Sequence, residues 1–446
     1  CAPGIFPPQT WITQPMLDRP FDPATRVVSR RDAPATIEAE CDICVVGSGA
    51  SGASAAIEAA RAGNRVILVD GLPSLGGQAV NSIIGMFCGL YTPGLDGRQL
   101  THGIADEIIH DLTAEGNAHI IQGGVMKVVM YNEVALGRWV EKAVIAAGVR
   151  PLTGAIIRKV HVEGRRIAAL DVATRHGDVR IRAQGFIDAS GDAALTWQAG
   201  FDCRVQAEGQ IYGSQMLIVE GIDDAHKPDW DTMARRIAER GEHYGMMRRD
   251  GFAATFPGTD VAMVNMTHIE TPLDPFDAAE KQIDGKEQAD RTLVFLRAEF
   301  PEAFGKAKVR AYGLPGVRQT RWIVGTHHLT TDEVRAATKF DDAIARCSWP
   351  LEQHHNREGY VWETFRPEHV HTVPLRSLTV AGADNLVAVG RCIDADSTAL
   401  SSVRVMGPCI AMGAAAAHAL TIAGSGSVHQ VDMRLLQSKI AANLEG

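Results

Sequence analysis

Three glycines in the pattern Gly47-x-Gly49-x-x-Gly52, with an aspartate at position 70, have the spacing of a loop that holds a dinucleotide. Gly47 would permit the tight turn. Gly49 would let the backbone approach a pyrophosphate, and Gly52 would let the following helix pack close. Asp70 would accept hydrogen bonds from ribose hydroxyls. Two other groupings suggest different chemistry. Cys41-x-x-Cys44, directly before the loop, has redox-dithiol spacing, and His327-His328 and His354-His355 invite a metal. A strand turns alternate side chains to opposite faces, so thiols three apart on it diverge. A reactive dithiol normally sits at a helix start. Two core cysteines are therefore expected. Adjacent histidines diverge on a strand and lie roughly 100° apart on a helix. No carboxylate completes either pair at a ligand spacing, so no metal site is expected.

The loop needs a strand before it and a helix after it. Residues 42–46 are a short apolar run ending at a glycine, which predicts a buried strand. Residues 50–62 are alanine-rich and free of proline, which predicts a helix. Gly63 supplies its end. A second strand over 65–69 delivers Asp70 at its tip. Gly52, Ala56 and Ala60 form one small-residue stripe suited to close packing. The helix start offers unbonded N–H groups and partial positive charge to phosphates.

The totals bound the rest. A chain of 446 residues suggests two or three structural units. With 46% hydrophobic and 22% charged residues it has the make-up of a soluble globular protein. A net charge of -9 argues against nucleic-acid binding. No membrane span is expected: the longest apolar stretch, 408–423, is short and interrupted by glycine and His418. Eight cysteines without paired or zinc spacing read as reduced thiols, which favours the cytoplasm. A start at Cys1 rather than methionine leaves export after cleavage as the alternative.

Along the chain, residues 1–40 are rich in proline and read as an extended arm lying on the body or on a second subunit. A homodimer is thus one expected assembly. A glycine-rich loop region spans 71–97, and helices are predicted near 103–114 and 132–147. Residues 150–183 read as short strands of a small antiparallel sheet, and 185–200 as strand, turn and helix. From about 201 to 372 charged helical stretches alternate with polar loops, as in a second domain inserted into the first. Residues 385–389 then return as a buried strand ending in Gly390.

The C-terminal stretch NLVAVGRCIDADSTALSSVRVMGPCIAMGAAAAHAL decides between nucleotides. A nicotinamide enzyme needs one nucleotide unit. Here a second strand, glycine turn and small-residue helix follow. Pro408 suits the first turn of that helix. The helix would aim its positive end beyond the Gly390 loop, where a reduced flavin carries negative charge around N1 and the C2 carbonyl. FAD is the expected cofactor, with its AMP half on residues 47–70 and its isoalloxazine near the C-terminal helix.

These residues resemble a known family. From about Ala39 onward the chain looks like the FAD-dependent oxidoreductases of the glutathione-reductase-like, two-dinucleotide-binding-domain superfamily. More narrowly, it resembles the bacterial group ending in a GRC…ALxSVRVM…C segment. VVGSGASGASAA matches the nucleotide loop, and SLGGQAVNS carries the second glycine pair, Gly76-Gly77, with Ser82. FIDASGDAALTWQAG, GVRQTRWIVGTHHLTTDE, SWPLEQHH and VPLRSL resemble further family segments. The resemblance implies FAD contacts at Gly47, Gly49, Ser51, Gly52, Asp70, Gly76, Gly77, Ser82, Asp192, Gly390 and Asp396. It implies others at Ser402, Val403 and Val405. It also implies an α/β fold: a Rossmann-like FAD-binding domain (a parallel sheet with helices plus a small antiparallel sheet) with an inserted α+β substrate domain. The FAD-binding domain would be discontinuous, over 41–204 and 373–446, and the substrate domain would span 205–372. Ser397 and Thr398 stand where the family often has histidine and glutamate, Asp70 where glutamate is commoner, and Glu352 where it has aspartate.

The family is expected to remove a hydride from a C–H beside oxygen or nitrogen, and the O–H or N–H proton then needs a base. The family pattern makes His354 the first candidate, ahead of His355, His327 and His328. Arg318, Arg321, Arg376 and Arg404 lie in family motifs. They would hold a substrate carboxylate, stabilise a developing anion or form structural salt bridges. Cys392 and Cys409 read as packing. The expected function is an FAD-dependent dehydrogenase or oxidase of a small organic molecule, with oxygen or a carrier as electron acceptor. The alternatives are a monooxygenase reduced by NAD(P)H and a non-catalytic nucleotide-binding protein.

Overall fold

A computed structural model describes residues 36–256 and 259–445; the arm expected over 1–40 lies, up to residue 35, outside the described residues. The chain builds its main sheet around β1 (Ile37–Val46), followed by helix α1 (Ala50–Arg61) and β2 (Val66–Asp70). Every residue of β2 is buried, as a strand covered on both faces of a parallel sheet must be. β1 and β2 pair in parallel, Ile43 opposite Val66 through Val46 opposite Val69.

β1 corrects the expectation for Cys41 and Cys44. The N–H groups of Asp42 and Ile43 both donate to the Arg65 carbonyl, at 2.8 and 3.2 Å. Two residues facing one is a β-bulge, and it shifts the alternation of side chains by one place. Ala39, Cys41, Cys44 and Val46 therefore pack in one apolar cluster, while Ile43 and Val45 pack in the cluster on the other face. The two thiols thus lie on the same face of the strand, and the Cys41 thiol donates to the Arg182 carbonyl at 3.8 Å. Both are in the core, 4% and 0% exposed, as free cysteines.

After β2 come the short helix α2 (Gly77–Asn81), the helices Ile104–Ala114 and Glu133–Ala146, and four strands: β3 (Arg150–Thr153), β4 (Ile156–Glu163), β5 (Arg166–Thr174) and β6 (Gly177–Asp188). β3 pairs in parallel with β2 at the sheet edge, so it is not part of the antiparallel set expected over 150–183. The antiparallel strands do not form a separate sheet either. The order is β3-β2-β1-β6-β5-β4, and the long β6 belongs to both halves. Its first half pairs antiparallel with β5. Its last residues, Phe186–Asp188, pair in parallel with β13 (Leu386–Ala388). The chain thus returns to its first sheet after some two hundred residues. Asn385 fixes the return. Its buried side chain accepts from the Ile167 N–H and donates to the carbonyls of Ile167 and Gln184, each at 2.9 Å.

The intervening region carries a second, antiparallel sheet in the order β8-β9-β7-β10, from β7 (Leu217–Glu220), β8 (Phe252–Thr255), β9 (Val261–Asn265) and β10 (Lys308–Tyr312). It shares an apolar cluster with helix α3 (Pro275–Glu299). Asp274 caps α3 by accepting from the N–H groups of Phe276 and Asp277, and Pro275 occupies the first turn. A hairpin of β11 (Leu351–Asn356) and β12 (Gly359–Glu363) follows. The fold is α/β: a Rossmann-like unit of parallel sheet and helices, extended by antiparallel strands, with an inserted α+β region.

Toward the C-terminus come α4 (Ser397–Val403) and α5 (Met406–Ala423), followed by a short helix, Met433–Lys439. Among the described residues α5 is the one helix long and apolar enough to cross a membrane, which corrects the expectation that this stretch is too short. It is 72% buried inside the fold, against α1. A Cβ on Gly413 would stand 2.1 Å from the Ser51 carbonyl oxygen, and Ser54 Oγ donates to the Ile410 carbonyl at 2.8 Å. The face of α1 packed on α5 therefore carries Ser51, Ser54 and Ala55. Gly52 instead faces the loop itself.

Candidate functional site

The loop between β1 and α1 has two closed sides and one open one. Gly47 has φ +99°, and a Cβ there would meet the Ala189 carbonyl oxygen at 2.3 Å. A Cβ on Gly52 would lie 1.9 Å from the Gly47 oxygen. A Cβ on Gly49 would meet nothing within 4 Å. That open side lies at the start of α1, whose first turn has N–H groups without intrahelical partners. Gly77 crosses over the loop, so that its Cβ would lie 2.5 Å from Gly49 Cα. The Gly76 N–H donates to the Ser48 carbonyl at 3.1 Å. The two glycine motifs form one cradle.

Asp70 is turned into this cradle. Its Oδ2 accepts from the Ser48 N–H (2.7 Å) and Oγ (2.6 Å), and its Oδ1 accepts from the Leu72 N–H (2.8 Å). One lone pair on Oδ1 remains for a ribose hydroxyl. Gly390 packs against Ser51, its missing Cβ 2.6 Å from Ser51 Oγ. Beside it Arg391 lies over Gly191 and donates from Nη2 to Asp192 Oδ1 at 2.8 Å. Arg391 Nη1 is buried with no partner among the described residues. A buried guanidinium nitrogen without an acceptor, next to two glycine loops and a helix start, fits an anion such as the FAD pyrophosphate. Sequence reasoning did not single out Arg391. Its signal was an arginine directly after a loop glycine.

Other expected cofactor residues are engaged within the protein. Ser82 Oγ donates to the Pro315 carbonyl (3.2 Å). Asp396 caps α4 through the Ala399 N–H (2.7 Å) and also accepts from the Thr331 N–H and hydroxyl, each at 2.6 Å. Ser402 donates to the Trp349 carbonyl, and Val403 is fully buried. Val405 is the N-cap residue of α5 and packs on Gly89. At that helix start the Gly407 N–H donates to the Cys88 carbonyl (2.9 Å) and Pro408 has no N–H to offer. Cys392 and Cys409 are packing residues whose thiols donate to main-chain carbonyls.

The structure brings His354, Arg318 and Arg404 together around Glu352. Glu352 and His354 are two apart on β11. His354 Nε2 stands 2.7 Å from Glu352 Oε1, and the Trp349 indole N–H donates to Oε2 at 2.9 Å. On its other side His354 Nδ1 lies 3.2 Å from His268 Nε2, and His268 Nδ1 lies 3.0 Å from the Arg357 carbonyl. His268 and His354 are 0% and 1% exposed.

Proton counting assigns the tautomers. A carbonyl only accepts, so His268 Nδ1 carries a proton. Its Nε2 then accepts from His354 Nδ1–H. With both rings neutral, the Nε2–Oε1 contact at 2.7 Å holds two lone pairs and no proton. One more proton completes the series. Burial and the Arg318 cation push His354 well below the ordinary imidazole range. Burial pushes the Glu352 carboxyl up, while hydrogen bonds and positive charge from His354, Arg318 and Trp349 pull it below the ordinary range. The Nε2–Oε1 contact is thus the position at which the series takes up or releases one proton.

Arg404 leads into α5, and its Nη2 reaches the Glu352 carbonyl at 3.5 Å. Its Nη1 is buried without a partner among the described residues. Arg318 donates from Nη1 to the Tyr212 carbonyl at 2.7 Å. Burial, with repulsion from Arg248 and Arg404, pushes Arg318 down to about 9. Arg321 is not part of this group: it lies over Trp197 and reaches the Asp192 carbonyl. Arg376 pairs with Asp342, His327 with Glu333 and His328 with Asp394, while His355 is exposed. No set of three metal-ligating side chains occurs among the described residues.

A family model described as "FAD dependent oxidoreductase" matches residues 42–440. No curated protein matches the chain. Among solved structures, the chain is similar to a geranylgeranyl bacteriochlorophyll reductase-like protein from Thermoplasma acidophilum, with 15% identity and a TM-score of 0.47 over 90% of this chain and 82% of that one. It is also similar to the flavin-dependent brominase Bmp2, with 13% identity and a TM-score of 0.45 over 90% and 83%. A third is PqsL of P. aeruginosa in complex with 2-aminobenzoylacetate, with 15% identity and a TM-score of 0.41 over 91% and 90%.

Proposed function

The chain belongs to the FAD-dependent oxidoreductase family, and we propose that it is a dehydrogenase or oxidase of a small organic substrate. FAD, when bound, supplies the two-electron acceptor for a C–H bond. The protein's own share is to hold the substrate and to take the accompanying O–H or N–H proton. The observation that carries this reading is the buried 2.7 Å contact between His354 and Glu352, where the chain can take up one proton. His354 is the proton acceptor. His268 fixes its tautomer, and Glu352 stabilises the imidazolium once formed. Trp349 fixes the carboxylate.

Three further readings go with it. The chain falls in the glutathione-reductase-like branch with the C-terminal GRC…SVRVM segment. Residues 41–204 and 373–446 hold FAD, and 205–372 cap the substrate. The electron acceptor is oxygen or a carrier.

Anaerobic mixing tests the proposal. Candidate substrates should bleach the flavin absorbance of the loaded protein, and NAD(P)H alone should not. Rapid bleaching by NAD(P)H alone would instead identify a monooxygenase. His354→Gln should keep its flavin and slow substrate-driven bleaching by about 10²- to 10⁴-fold. An unchanged rate would remove His354 from the mechanism.

A further inference from the structure

The group around Glu352 has a charge imbalance that the protein does not resolve. Three guanidinium groups face two carboxylates there: Arg248, Arg318 and Arg404 against Asp250 and Glu352. Asp250 is committed to Arg248 and to the Tyr360 N–H. Glu352 has one oxygen on His354 and the other on Trp349. Among the described residues Arg318, which is partly exposed, makes one hydrogen bond, to the Tyr212 carbonyl, for five donors. Arg404 has a buried Nη1 with no acceptor. An arginine withdrawn from water needs an anion or a set of acceptors. Here Arg404 leaves one buried nitrogen without an acceptor, and the partly exposed Arg318 beside it leaves most of its donors available, next to His354.

We propose that this pair is a receptor for a carboxylate on the substrate, with Arg318 as its principal anchor. A planar guanidinium fork matches a carboxylate in two parallel hydrogen bonds. The two ends of the site then have different anion partners. Arg391, beside Gly390 and the cradle, faces the cofactor phosphates. Arg318, beside Tyr212 and His354, faces the substrate. A substrate held by its carboxylate at Arg318 presents a neighbouring hydroxyl or amine to His354. The substrate class is thus a small carboxylic acid bearing an oxidisable C–H next to oxygen or nitrogen. This deepens the proposed oxidation and rests on the reading that the Glu352 group lies on the substrate side of the flavin.

Binding without turnover tests it. The FAD-loaded protein is titrated with acetate, succinate and benzoate at constant ionic strength, and the shift of the flavin spectrum is followed. Benzamide serves as the uncharged match to benzoate, and inorganic phosphate as a non-carboxylate anion. At least one carboxylate should give a saturable shift. Benzamide and phosphate should bind at least about 10-fold more weakly. Arg318→Lys keeps the charge and loses the fork, and Arg318→Gln loses both. Each should retain flavin and weaken carboxylate binding by about 10- to 100-fold, with Arg318→Gln the weaker binder. The proposal is overturned if no carboxylate binds, if benzamide or phosphate binds equally well, or if both variants bind as the native protein does. A carboxylate that binds through Arg318 in a protein whose flavin NAD(P)H reduces would uphold the receptor and sink the dehydrogenase reading alone.

Discussion

Gly49→Ala should separate holding the cofactor from holding the fold. Gly49 has φ -62° and ψ -175°, a conformation open to any residue. Its Cβ would meet no atom within 4 Å. The apoprotein should therefore tolerate alanine, and even gain about 0.4–1 kcal/mol from a less flexible unfolded chain. The neighbouring glycines behave oppositely. Cβ atoms at Gly47 and Gly52 would stand 2.3 and 1.9 Å from main-chain oxygens. Those substitutions force the backbone apart and should cost about 1–3 kcal/mol or more of stability. The cofactor sees a different ranking. A methyl group on the open side of the cradle holds the pyrophosphate off the first turn of α1. Losing two charge-assisted hydrogen bonds at about 1.5–3 kcal/mol each weakens FAD by about 10²- to 10⁴-fold. Thermal unfolding of the apoprotein gives the first quantity, and quenching of flavin fluorescence on reconstitution gives the second. A Gly49→Ala protein that binds FAD within about threefold of the native one would show that no phosphate lies over Gly49. An apoprotein destabilised as much as by Gly52→Ala would refute the open side itself.

Asn385→Ala should cost about 3 kcal/mol or more, because it strands the Ile167 N–H and two carbonyls that its side chain satisfies; a loss under about 1 kcal/mol in denaturant unfolding would contradict that role. Acid should destabilise the fold. Burial holds His268 at about 3 and pushes His354 and His371 well below the ordinary value, so the unfolded chain takes up protons first as pH falls. Each ring then contributes a loss of about 1.4 kcal/mol at a pH one unit below about 6.5, so the three together lower stability by about 4 kcal/mol near pH 5.5; an unfolding temperature that stays flat from neutral pH to that point would rule this out. Thiol reagents should label Cys203, which is partly exposed, and leave the buried Cys41 and Cys44 untouched until the protein unfolds. Labelling of either at native-state rates would mean that β1 opens.

What could be read from the sequence is what depends on near neighbours. The nucleotide cradle follows from glycine spacing, an alanine-rich helix and an acid at a strand end, all within thirty residues. The Glu352–His354 contact was also within reach, since residues two apart on a strand share a face. The same rule separates Arg318 from Arg321, three apart on an extended chain. His268 is different. It lies 86 residues from His354 in sequence, in the stretch after β9, and only the tertiary packing of that stretch against β11 brings them into contact. The edge position of β3 was hidden for the same reason. The cysteine pair failed through a local irregularity: two N–H groups share one carbonyl, which no side-chain pattern announces.

The distance between the two ends of the cofactor site is set by helix packing rather than by the loops. Gly413 leaves no room between α5 and the Ser51 carbonyl, and Ser54 is hydrogen-bonded across to Ile410. Sliding either helix along the other would break that bond and lose the close main-chain approach at Gly413. The start of α1 and the start of α5 are therefore fixed relative to each other, and Arg404, just before α5, is fixed with them. Glu352 in turn meets Arg404 through its main-chain carbonyl. The contact holds for any side chain at 352, so changing the carboxylate alters the proton chemistry while leaving this link to the nucleotide cradle in place. That is why Glu352→Gln and His354→Gln report on chemistry, whereas bulk added at Gly413 would move the whole site.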